Sequence, residues 1–233
     1  MQGLQNFISI DLETTGLNPK RDRIIEIGAV KVRNGHVTDT FQQLIDPKQQ
    51  LEERVEILTG ITSKELEGHS TIQQILPQLQ EFLGDDVLLG HRVLFDYSFL
   101  KRAFINEKIS FERKGIDTLK LARQFVTECE SKKLESLCKH YEIKHQAHRA
   151  LGDAMATVEL YQILAENYYQ EDVFAPKPLE FKVKKESPIT KAQKERLTLL
   201  LAKHNLEPKC EITSMTRNEA SRYMDQILAA YGR

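Results

Sequence analysis

Asp11 and Glu13 stand two residues apart at the end of an apolar stretch, Phe7-Ile8-Ser9-Ile10-Asp11-Leu12-Glu13. On a strand, that spacing sends both carboxylates out of one face while Leu12 points the other way, into a core. Like charges this close repel and raise each other's affinity for protons. A divalent cation offsets that cost, and oxygen-only donors suit magnesium or manganese rather than zinc. The triplet alone is weak, because a chain with 29% charged residues yields Asp-x-Glu by chance. Two further acids shift the balance. Asp96 follows Gly90-His91-Arg92-Val93-Leu94-Phe95 at the expected start of a helix, where an acid also suits the helix dipole. Asp153 falls in the first turns of a long helix, one turn from the small residues Ala150 and Thr157. Small neighbours let that face pack closely, so its carboxylate is aimed inward and needs a partner.

His148 precedes Asp153 by five residues, a spacing that on one helix would turn it about 140° away. It reaches the same place only from ahead of the helix, where a mobile general base can sit. An exposed loop histidine is the plainer alternative. His140, His145 and His148 also lie close in sequence, but no cysteine or carboxylate pattern completes a zinc site with them.

These groups need supports. Phe7–Glu13 reads as a buried strand ended by Thr14-Thr15-Gly16, and Ile24–Val32 as a second strand. Asn34-Gly35 is a two-residue hairpin signal, so His36–Ile45 returns antiparallel to it. Helical patterns follow over Leu51–Leu58 and Thr71–Leu83. Val87–Gly90 reads as a short strand, Phe95–Asn106 as a helix and Ile116–Thr118 as a last short strand. Leu119–Val126, Leu134–Tyr141 and Ala150–Asn167 read as helices, the last with Ala150, Ala154, Thr157, Val158, Tyr161 and Leu164 on one side. Three strands and then strand–helix alternation predict an α/β fold, a mixed sheet flanked by helices with the first strand central.

The domain expected over residues 1–170 is followed by a stretch, 171–188, with three prolines and no helical period, read as a linker. Residues 189–233 form a small two-helix module. Thr190–Gln193 and Thr216–Glu219 are capping-box patterns, Leu197, Leu200 and Leu201 then Tyr223, Met224, Ile227 and Leu228 are the apolar faces, and Gly232 is the stop. Residues 176–233 carry 12 Lys+Arg and 7 Asp+Glu, so a tail of +5 follows a body of −6. Such a tail suits an approach to a polyanion, or docking on the body or a partner. With 40% hydrophobic residues the chain is not expected to be disordered. No apolar run reaches membrane-spanning length, and the N-terminus has no signal-peptide pattern. Three scattered cysteines, Cys129, Cys138 and Cys210, fit reduced thiols in a cytoplasmic setting.

Taken together, Asp11-Leu12-Glu13-Thr14-Thr15-Gly16, Gly90-His91 to Phe95-Asp96, and His148-Arg149-Ala150-Leu151-Gly152-Asp153 resemble, in order and spacing, the three motifs of the DEDDh 3′–5′ exonucleases. The epsilon-like proofreading branch is the nearest. Ile24–Val30, Leu58-Thr59-Gly60-Ile61-Thr62 and Asp117-Thr118 are similar to the family between the motifs, and the likeness runs over about residues 7–168. The resemblance implies a ribonuclease H-like, five-stranded mixed sheet. It implies two magnesium or manganese ions held by Asp11, Glu13, Asp96 and Asp153, and His148 taking the proton of the attacking water. It further implies that Thr14 and Ile61 lie against the terminal nucleotide. Arg92 stands where the family usually has Asn, which bears on substrate preference and marks it as a candidate phosphate contact. The expected substrate is a nucleic acid 3′ end, single-stranded DNA first and RNA second. The expected partner is a DNA polymerase or another replication or repair protein. A non-catalytic assembly module is the competing class.

Overall fold

The computed structural model describes residues 3–145, 148–183 and 187–232. Its first strands are β1 (Phe7–Thr14), β2 (Ile24–Arg33) and β3 (His36–Leu44). β1 is antiparallel to β2 and β2 to β3. The β2–β3 turn places both Asn34 and Gly35 at positive φ, 50° and 76°, as a tight hairpin with the twist of its strands requires. The helices α1 (Glu53–Thr59), α2 (Ser63–Leu66) and α3 (Ile72–Leu83) come next, then β4 (Leu88–Gly90), α4 (Leu94–Asn106) and β5 (Lys114–Asp117). The body continues with α5 (Thr118–Phe125), α6 (Leu134–His140), α7 (Ala150–Tyr168), α8 (Glu171–Phe174) and β6 (Lys177–Pro178). The tail holds α9 (Lys191–Lys203) and α10 (Arg217–Tyr231).

The strand order is β3-β2-β1-β4-β5-β6, with β4 parallel to both β1 and β5. β1 is therefore internal, and its alternation splits the core. Phe7 joins Val30, Val32 and Leu89 under α5, α6 and α7. Ile8, Ile10 and Leu12 face the other layer, against Ile75, Leu79 and Leu83 of α3 and Tyr97, Leu100 and Phe104 of α4. The α7 face expected to pack does so, with Ala150, Ala154, Thr157, Val158, Tyr161 and Leu164 all buried. No helix among the described residues is long and apolar enough to cross a membrane.

The expectation of five strands needs correction. A sixth, β6, arises inside the stretch read as a linker and pairs antiparallel with β5 through Lys114–Pro178 and Gly115–Lys177. Proline is tolerated there because an edge strand leaves one side unpaired. The Leu179 amide donates to the Arg113 carbonyl at 2.9 Å, and Phe174 is buried beside Tyr161 and Phe125. Residues 171–179 thus belong to the body. Part of the stretch read as a linker, residues 184–186, lies outside the described residues.

The tail has a core of its own, in which Leu197 and Leu201 of α9 meet Ala220, Tyr223, Met224 and Ile227 of α10, with Met215 between. Both capping boxes form: Thr190 accepts from the Gln193 amide, and Thr216 from the Glu219 amide. The module is not separate from the body. Cys210 bridges to Gln49, the Glu211 amide donates to the Lys48 carbonyl at 3.0 Å, and Arg23 pairs with Glu219 at 2.9 Å.

Candidate active site

β1 carries Asp11 and Glu13 toward α7, on the same face as Ser9, whose hydroxyl donates to the Ala154 carbonyl at 2.8 Å. A register shift against β2 falls between Glu13 and Thr14, so the strand bends at the residue whose carboxylate it presents. Opposite Asp11 lies Gly28 of β2. A side chain there would overlap the backbone of Ala150 and Leu151, so the start of α7 rests directly on the sheet.

That contact is fixed by Glu26, a fully buried carboxylate of β2. It accepts the Ala150 amide hydrogen at 3.0 Å and two guanidinium donors of Arg149, Nη2 at 2.9 Å and Nε at 3.3 Å. The Gln42 amide donates to it as well, at 2.9 Å. An anion at the first turn suits the helix dipole and satisfies an amide with no partner inside the helix. One turn on, α7 delivers Asp153. Carboxylate oxygens of Asp11, Glu13 and Asp153 all lie within 4.8 Å of one another. Asp96, buried in the first turn of α4, stands behind them, and its Oδ1 accepts the Leu12 amide hydrogen at 3.1 Å.

Crowding and burial make Asp11, Glu13 and Asp96 hold their protons strongly. Burial, and then the charges of Asp96, Asp153, Glu13 and Glu26, push Asp11 well above the usual carboxylate range. Burial with Asp153 and Glu26 pushes Glu13 up to about 7, against a lowering by Arg149. Burial also raises Asp96, opposed by its own amide and that of Leu12. Such a cluster is a cost in the bare fold that bound cations relieve. The donors are all carboxylate oxygens, which fit a hard divalent metal.

The histidines are arranged otherwise than by spacing alone. His148 does precede α7, at a positive φ of 63°, and its amide donates to Asp153 Oδ2 at 3.1 Å. Its ring is exposed and is not drawn into the cluster. It is the His145 ring whose Nε2 meets Asp153 Oδ1. The intervening residues 146 and 147 lie outside the described residues.

Of the candidate substrate contacts, Thr14 ends β1 and its hydroxyl donates to the Gly16 carbonyl at 2.6 Å. The Ile61 side chain is buried with Ile25, Val55 and Leu66, so at Ile61 the turn after α1 offers backbone rather than a side chain, while Ile57 and Leu58 at the end of α1 are exposed. Arg92 is exposed at the mouth of α4, its backbone left-handed at φ 77° and its amide held by Asp117 Oδ1 at 3.0 Å. Its guanidinium lies 5.7 Å from the Phe95 ring centre. Asp117 also caps α5, and the neighbouring His91 ties its ring to Thr118 at 2.9 Å and to the Lys132 carbonyl at 2.8 Å. Glu26, Arg149, Gly28 and His145 were not singled out as site residues from sequence. An acid inside the apolar run Ile24–Val30 was the one signal that pointed to Glu26.

Comparison with known proteins agrees with this geometry. The family model described as "Exonuclease" matches residues 8–161. The PolC-type DNA polymerase III of Clostridium perfringens is 37% identical over 155 residues, covering 66% of this chain and 11% of the polymerase. That of Latilactobacillus sakei is 39% identical over 168 residues, 70% of this chain and 12% of the polymerase. The chain thus spans about a ninth of these relatives' length. Among solved structures, Exonuclease X bound to 5′ overhanging duplex DNA aligns with a TM-score of 0.59 at 23% identity, over 72% of this chain and 97% of the other. Escherichia coli Exonuclease I with a dT13 oligonucleotide aligns at 0.62 and 19%, over 69% and 41%. A 3′-exonuclease recognising a histone mRNA stem-loop aligns at 0.60 and 21%, over 72% and 84%. These three establish the shared fold. With the family model running from β1 through β5 and taking in every acid of the cluster, the chain belongs to the exonuclease family.

Proposed function

We propose that the chain is a metal-dependent 3′–5′ exonuclease that hydrolyses DNA from its 3′ end to nucleoside 5′-monophosphates, in replication or repair. The observation that carries this is the meeting of Asp11, Glu13 and Asp153, oxygens within 4.8 Å, with Asp96 buried behind them on an exonuclease-family fold. DNA is favoured because the named relatives are DNA polymerases and Exonuclease I and Exonuclease X are described with DNA. RNA is the second reading, supported by the likeness to the histone mRNA 3′-exonuclease. A DNA polymerase or another replication or repair protein is the partner class implied. A cytoplasmic setting agrees with free thiols at Cys129, Cys138 and Cys210.

Asp11, Glu13, Asp96 and Asp153 are the ligands for two magnesium or manganese ions. Bound there, the ions supply an activated water and neutralise charge on the phosphoryl and leaving oxygens. The chain's own groups do the rest. His148 accepts the water's proton, which requires a neutral imidazole. His145 gives up Asp153 Oδ1 when the site is loaded. Backbone at Thr14 and at the turn carrying Ile61 lies against the terminal nucleotide, and Arg92 meets a phosphate.

The test is parallel digestion of DNA and RNA oligonucleotides labelled near the 3′ end, with manganese, magnesium or chelator. The expected result is release of mononucleotides, faster from DNA, abolished by chelator and falling steeply with salt as phosphate contacts are screened. Absence of metal-dependent release would overturn the enzymatic reading in favour of an assembly module. Faster release from RNA would reassign the substrate.

A further inference from the structure

The turn after β1 is closed by a residue that the tail holds in place. The Thr15 amide donates to the Arg23 carbonyl at 2.8 Å, and the Arg23 amide donates to the Thr15 hydroxyl at 2.9 Å. Within this loop the Arg21 and Asp22 amides both donate to the Asn18 carbonyl at 2.9 Å, and Asp22 Oδ2 accepts the Asn18 amide hydrogen at 2.7 Å. Residues 15–23 are therefore one hydrogen-bonded unit, attached at its first residue to Glu13-Thr14 and at its last to β2.

Arg23 reaches out of that unit to Glu219, 196 residues away in sequence, at 2.9 Å. Both side chains are largely covered, 26% and 16% exposed, so water screens the pair less than it would at an open surface. Glu219 is itself tied down at both oxygens. Its second oxygen accepts the Thr216 amide hydrogen at 2.7 Å and completes the capping box of α10. A second hold of the module on the body, at Lys48 and Gln49, lies just past β3. The end of β1, the start of β2 and the end of β3 share one margin of the sheet, the margin where Asp11 and Glu13 emerge. Both points of attachment thus flank the acids.

We propose that the C-terminal module acts in cis on the active site, with Glu219 and Arg23 as positioning residues that hold the Thr14–Gly16 turn in the shape that receives the terminal nucleotide. The inference rests on the exonuclease function proposed above. It assigns the tail a role in substrate binding at the 3′ end, and none in metal loading or in the hydrolytic step.

The experiment uses the full chain and Glu219→Gln, which keeps an acceptor for the Thr216 amide while removing the charge that holds Arg23. Expected are an increase in KM for a DNA oligonucleotide on the order of three- to fivefold, the range of one partly covered ion pair, an unchanged kcat, and faster hydrogen exchange at the amides of Thr15 and Arg23. Protection of the Leu197 and Ile227 amides reports that the module is still folded. Should Glu219→Gln melt it, Arg23→Gln, which leaves the capping box untouched, is read in its place. Unchanged exchange at Thr15 overturns the proposal whatever happens to KM, and so does an increase in exchange with no change in KM. If the wild-type chain releases no nucleotides, the function proposed above fails, while the exchange measurement still decides whether the tail holds the turn.

Discussion

Glu26 Oε2 accepts the Ala150 amide hydrogen at 3.0 Å, so a carboxylate with no part in the chemistry sets where the helix bearing Asp153 begins. The same group neutralises Arg149, whose head lies just outside the acid cluster and lowers the proton affinity of Glu13. One buried acid on β2 therefore governs both the placement of Asp153 and the charge around it.

Glu26→Ala removes the acceptor and leaves Arg149 unpaired at a buried edge. Because the Arg149 side chain is 36% exposed, the loss is below that of a fully buried pair, about 2 kcal/mol by urea unfolding. Glu26→Gln keeps an acceptor for Ala150 and loses less. In both variants manganese affinity measured by calorimetry weakens, since Asp153 is no longer held over β1.

Gly28→Ala tests the same approach from the other side. The added methyl meets the α7 backbone, which is not a flexible chain end and has nowhere to move. A loss of about 3 kcal/mol or more is expected, with nuclease activity falling further than stability explains. Unaltered melting and activity would mean that α7 does not rest on the sheet at this point.

In the absence of metal the acids impose a pH dependence of definite sign. Glu13 is raised in the fold from 4.5 to about 7, so between those values the folded chain keeps a proton that the unfolded chain has released. Stability is then favoured at the acid end of the window and is lost as pH rises through it. The melting temperature of chelator-treated protein is expected to fall by roughly 5 °C from about pH 5 to about pH 7.5. Magnesium or manganese recovers it at the upper end, by occupying the acids once they ionise. A melting temperature indifferent to metal at neutral pH would count against the ligand assignment.

The two histidines are expected to separate cleanly. His148→Ala lowers kcat by about 10²–10⁴-fold, the worth of a general base, and leaves manganese binding intact. His145→Ala removes a competitor for Asp153 Oδ1, so manganese binds as tightly or more tightly and turnover is retained. The reverse outcome would transfer the role of base to His145.

Most of the framework was legible because its periods are clean. The strand over Phe7–Glu13, the Asn34-Gly35 hairpin and the long helix from Ala150 appear within a residue or two of where alternation and turn chemistry place them. What escaped has no period to read: the four-residue helices α2 and α8, and the two-residue β6, which exists only because β5 offers it an edge. The cluster was legible in outline, since each acid ends a recognisable strand or opens a recognisable helix. Glu26 was not assigned, because an acid in an apolar run shows that a partner is needed but not which one, and Arg149 lies 123 residues on. The ring of His145 went unassigned for the opposite reason. Spacing along a helix says nothing about a loop that folds back across it.

The little strand β6 also guards the molecule. On the far side of the sheet, β3 (His36–Leu44) is mostly exposed and mostly polar, with Thr38, Asp39, Thr40, Gln42 and Gln43 giving a neighbour little apolar surface to hold. On the near side, Lys177 and Pro178 lie over β5, and Pro178 has no amide hydrogen to extend a ladder. A chain cut just before Pro176 to remove the tail would strip that cover and bare the backbone of residues 113–115. Two such stumps would have a seam along which to join, and clumping after truncation would then report an uncapped border rather than a lost partner.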